Sequence, residues 1–93
     1  MGKKNIIRME EILDTAIQKM DALEQSIADF KEYQAKIHEL EAYYTSPQWK
    51  ADFALDEDGK LSKGLKRGVL SEDGIYNVLE RNKELLEIIK GAD

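Results

Sequence analysis

The sequence predicts an all-α protein: a long N-terminal helix, a short middle helix, an ordered polar connector and a C-terminal helix packed back as an antiparallel helical hairpin. Three observations carry this. No Gly or Pro occurs between Asn5 and Thr45. Apolar residues recur there at spacings of three and four, the period of a helix with one packed face. The only Pro and four of the six Gly fall between Ser46 and Gly74, where the chain must change direction.

The long helix is expected over about 5–45. Its stripe is Ile6, Met9, Leu13, Ala16, Met20, Leu23, Ile27 and Phe30. The strict register then meets Gln34 and Glu41, while Tyr33, Ile37, Leu40 and Tyr44 continue the apolar face at a slightly different angle. Such drift follows from the mismatch between a 3.5 and a 3.6 repeat. A helix of about 40 residues is roughly 60 Å long. A C-terminal pattern of about 18 residues, roughly 27 Å, covers only half of it. The uncovered part of the stripe calls for a dimer or a helical partner, unless the helix bends. The methionines and aromatics of the stripe read as core filling, since flexible Met is an ordinary gap-filler. His38 stands alone among them.

Pro47 disfavours helical geometry at Ser46 and so ends the long helix. Ser46 and Pro47 also suit the cap and first position of a new helix, expected over about 47–55. Trp49 and Phe53 then share a face, and Trp49 is expected to pin this short helix by packing. The connector spans about 56–71. Asp56-Glu57-Asp58-Gly59 resembles a calcium loop only superficially: with Gly59 at position 6, Ala54 and Leu65 occupy positions that need oxygen ligands. A tight turn with Gly59 at positive φ is expected instead. Ser71 is a good N-cap, and Glu72 and Asp73 lie in the first turn that follows, where the helix dipole favours acids. The last helix, about 72–90, carries Ile75, Val78, Leu79, Leu85, Leu86, Ile88 and Ile89, with Lys90 and Gly91 as its stop.

Composition bounds the function. Residues 1–93 make one domain at most, with a thin core. Hydrophobic residues are 42% and charged residues 35% of the chain, which suits a soluble helical protein rather than a disordered one. The net charge of −5 is spread over both halves, a poor basis for binding nucleic acid. Lys60, Lys63, Lys66 and Arg67 form a local basic patch, but carboxylates flank it on both sides. Cysteine is absent, which removes disulfides and thiolate chemistry and fits a cytoplasmic setting. No apolar run has the length of a membrane span or a signal-peptide core.

Tyr43-Tyr44, Ser46, Trp49, Asp52, Asp56-Glu57, Gly59, Leu61, the run LKRGVLSED (Leu65–Asp73) and Tyr76 together resemble a small bacterial family catalogued only as a domain of unknown function. The similarity covers nearly the whole chain. Where that family often has Pro after the Leu matching Leu61, this chain has Ser62. The resemblance implies an all-helical, cytosolic bacterial protein and brings no catalytic assignment.

An enzyme is weighed against an interaction module. A helical chorismate mutase is similar in size and in its long first helix, yet its chemistry needs several cations around one pocket. Here residues 9–49 hold only Lys19, Lys31 and Lys36 as cations. No Cys, paired His or nucleophile turn offers hydrolytic chemistry, and no cofactor or metal is called for. The reading is therefore a non-enzymatic protein–protein interaction or self-association module, with a homo-oligomer or a helical protein as partner. The alternative is a small-ligand-binding protein or small enzyme with a pocket at the connector around Arg67. Trp49, Asp52, Asp56, Lys66, Arg67, Glu72, Asp73 and Tyr76 are the candidate interaction residues, or members of a polar network that fixes the connector.

Overall fold

The computed structural model describes residues 2–91. Within them the chain is helical and contains no strand. The described residues form two units, 2–33 and 34–91.

The first unit is one helix, α1 (Gly2–Glu32). Its sequence has no interior helix breaker, and Gln25 donates to Asp29 one turn on at 2.9 Å, a pair that supports the solvent face by a few tenths of a kcal/mol. Tyr33 lies in a turn, although its N–H still donates to the Asp29 carbonyl at 3.0 Å. None of the residues of α1 is buried. A second helix, α2 (Gln34–Tyr44), starts at the next residue.

The second unit comprises α2, α3 (Pro47–Glu57), a 3-10 turn at Gly68–Leu70, and α4 (Glu72–Gly91). Ser46 has extended backbone geometry, and its hydroxyl accepts from the Trp49 N–H at the start of α3. Pro47 loses nothing there, because the first-turn N–H groups have no helical partner. The far end of α3 closes as a Schellman motif. Gly59 N–H donates to the Asp56 carbonyl and Lys60 N–H to the Leu55 carbonyl, both at 3.0 Å. That closure needs a left-handed residue, and Gly59 supplies it at φ 68°. At α4, the Ser71 hydroxyl accepts from Gly74 N–H at 3.2 Å. Glu72 and Asp73 occupy the first turn. Lys90 is in the last turn, and the stop expected at Gly91 involves residues 92–93, outside the described residues.

The core of this unit is small. Trp49, Leu70, Ile75 and Leu79 are the buried apolar residues among those described. They come from α3, the 3-10 turn and α4, so the connector contributes core and not only a link. The 3-10 turn lies against both α3 and α4, and α2 touches α3 and α4. Gln34 on α2 and Asn82 on α4 exchange two amide hydrogen bonds, each 3.0 Å. Each amide both donates and accepts, and the geometry fixes the register of the two helices at that level.

Candidate functional site

Three places in the molecule could carry function: the cluster around Trp49, the cleft between α2 and α4, and the apolar stripe of α1.

The first is built on α3. The Trp49 ring stacks on Phe53 (centroids 5.2 Å apart, 20° between planes) and takes an edge contact from Tyr44 (5.2 Å, 85°). Its indole N–H donates to the Val69 carbonyl at 2.9 Å. Trp49 is thus a core residue that ties α3 to the connector, with its one polar atom satisfied. Asp52, on the neighbouring face of α3, accepts from Tyr43 Oη at 2.6 Å and from Gln48 Nε2 at 2.7 Å. The hydrogen bond to Asp52, with help from burial and the carboxylate charge, raises the Tyr43 pKa to about 12. Asp56 accepts from Arg67 Nη1 at 2.8 Å. This pair is partly exposed, so it contributes at most about 1 kcal/mol.

The candidate residues therefore divide. Trp49, Asp52, Asp56 and Arg67 have specific partners, but Asp52 and Asp56 belong to separate contacts. Lys66, Glu72 and Asp73 are exposed and make no side-chain hydrogen bond among the described residues. Tyr76 is exposed on α4 and lines the second region, as does Tyr44. Sequence reasoning did not single out the Tyr43–Asp52 bond or the Gln34–Asn82 pair. The first joins residues on two helices across a Pro turn, and the second joins residues 48 positions apart; neither leaves a periodic signal. The Gln48–Asp52 contact has the i,i+4 spacing that could have shown it.

The cleft between α2 and α4 has two adjoining parts, of about 170 and 470 Å³. His38 and Glu41 border both parts from α2, and Leu79 and Lys83 from α4. Lys83 is engaged with Glu80 one turn earlier at 3.3 Å. Cations and carboxylates are thus mixed along an open groove, and no charged side chain of the groove is buried. Among the described residues no three His, Asp or Glu side chains are placed to hold a metal ion together.

The third region belongs to the first unit. Ile6, Met9, Leu13, Met20 and Leu23 are between 51% and 63% exposed, and Ile7, Ile12 and Ile17 beside them are similarly open. Single exposed apolar residues are ordinary, whereas a contiguous exposed stripe of this length is uncommon on a protein surface. A dent lined by Glu11, Ile12, Thr15, Ala16 and Lys19 lies on its flank. No helix among the described residues is long and apolar enough to cross a membrane.

Fold and surface define a small all-α protein whose most conspicuous open feature is the apolar face of a long helix. Residues 6–90 match a family model described as a domain of unknown function, DUF4298, and the chain belongs to that family. No curated protein and no solved structure matches it.

Proposed function

We propose that the protein is a non-enzymatic interaction module whose contact surface is the apolar stripe of α1. The observation that carries this is the exposure of that stripe over residues 6–23, at a heptad spacing suited to another helix. Burying a half-exposed Leu or Ile gains on the order of 1 kcal/mol, and a partner helix that buries its own apolar face against the stripe adds a comparable gain to set against the cost of association. The second unit supplies the packed part of the molecule. Its finer arrangement we read as an antiparallel hairpin of α2 and α4, supported by the reciprocal Gln34–Asn82 pair. The absence of cysteine fits a reducing, cytosolic setting.

The alternative of a ligand pocket at the connector draws little support. The Arg67 guanidinium is engaged by Asp56, and Arg67 lines neither of the two clefts described above.

The test compares wild type with Leu13→Asp/Met20→Asp, as analyte in light scattering and as bait on a column. Trp49, the only Trp, reports on the second unit separately. Loss of association with unchanged Trp49 fluorescence supports the reading. Association that is indifferent to both substitutions overturns it.

A further inference from the structure

We propose that the partner of the α1 stripe is a second copy of this chain, paired parallel and in register as a two-stranded coiled coil over residues 5–31. This rests on the reading of the stripe as a contact surface and adds the identity and direction of the occupant.

The stripe fits the heptad without a break. Ile6, Leu13, Met20 and Ile27 fall at the a positions, and Met9, Ala16, Leu23 and Phe30 at the d positions. The flanking e and g positions decide direction, because they meet across the seam. In a parallel pair, each g residue faces the e residue five positions on in its copy. The successive pairs are Asn5 with Glu10, Ile12 with Ile17, Lys19 with Glu24 and Ser26 with Lys31. None is like-charged. Ile12 and Ile17, both about half exposed in the single chain, cover each other. Two turns further on, Lys19 and Glu24 form an opposite-charge pair twice, by symmetry.

The antiparallel alternative keeps the apolar layers, matching Ile6 with Phe30 and Leu13 with Leu23. It sets g against g and e against e, however. Lys19 then meets Lys19, and Glu10 meets Glu24, with no compensating opposite pair between these residues. Each exposed charge pair is worth only up to about 1 kcal/mol. Affinity therefore comes from the apolar seam, and the charges choose the direction.

The chain has no cysteine, so a single introduced thiol reads direction cleanly. Position 6 lies near one end of the seam. In the parallel register it faces its own copy, within the roughly 4.4–6.8 Å Cα separation that a disulfide spans. Antiparallel, the two copies of residue 6 are about 36 Å apart at 1.5 Å per residue. Ile6→Cys is oxidised alone and in a mixture with Phe30→Cys, and products are read on a non-reducing gel. A covalent dimer from Ile6→Cys alone is the expected result. A product that forms only in the mixture overturns the parallel arrangement.

Charge swaps give an independent reading. Lys19→Glu alone and Glu24→Lys alone should each weaken the dimer roughly tenfold, through two repulsive pairs, and an equimolar mixture of the two variants should regain wild-type affinity as a heterodimer. Failure of the mixture to recover would contradict the pairing. A wild type that stays monomeric throughout rules out the second copy as occupant. In that case the broader stripe reading is judged separately, by whether Leu13→Asp/Met20→Asp loses its captured partners.

Discussion

Tyr43 and Trp49 show how single contacts hold the second unit. Tyr43 must keep its proton to donate to Asp52, and its pKa is raised to about 12. A raised folded-state pKa means that the contribution is complete below the unfolded value near 10 and is lost as pH climbs through about 12. Wild type should therefore lose stability between pH 10 and 12, beyond the loss shown by Tyr43→Phe. At neutral pH, Tyr43→Phe should cost about 1 kcal/mol, a melting shift of roughly 4–8 °C for a domain of this size. Equal alkaline profiles for the two proteins would remove the proposed role of the hydroxyl. Trp49→Ala removes the largest ring of the small core and should cost about 3–5 kcal/mol. Trp49→Phe keeps most of the apolar contact but leaves the Val69 carbonyl without its donor, for about 1–3 kcal/mol. Arg67→Ala, by contrast, removes a partly exposed pair and should shift stability by less than about 1 kcal/mol. Denaturant melts of the three variants check that order.

At the scale of elements, three local end signals were legible in the sequence, whereas the turn at Tyr33, which divides the helix expected over about 5–45, was not. Ser46-Pro47 and Ser71 cap the helices that follow them, and Gly59 closes α3 at positive φ. Each signal is local: a side chain and a backbone N–H three residues apart, or a conformation only Gly adopts freely. Ser71→Ala should cost about 1 kcal/mol through the lost Gly74 N–H partner, and Gly59→Ala a similar amount by forcing a Cβ into the left-handed region; thermal melts of both variants test this. Less legible was which polar residues of the connector have partners. Asp56 and Arg67 are eleven positions apart, and Glu72 and Asp73 are just as acidic yet stay in water at the start of α4. Composition cannot distinguish the two cases, because the choice depends on where the 3-10 turn sets the backbone. The pattern of α1 was plain, but what covers its face was not. Coverage is a tertiary property that periodicity alone does not carry.

For the whole molecule, a thin core in residues 34–91 coexists with a long apolar helical face in residues 2–32. Most helical stability in proteins comes from packing one face, so α1 should gain order when its stripe is covered. Helical content measured by circular dichroism should then fall on dilution, while Trp49 fluorescence holds steady. The most direct test of the association surface is sedimentation equilibrium of wild type and Leu13→Asp over a range of concentrations. Wild type should approach twice the chain mass as concentration rises, and Leu13→Asp should remain at the single-chain mass with its Trp49 environment intact. A wild type that stays monomeric at the highest concentration, or a variant that dimerises equally well, would contradict self-association through α1.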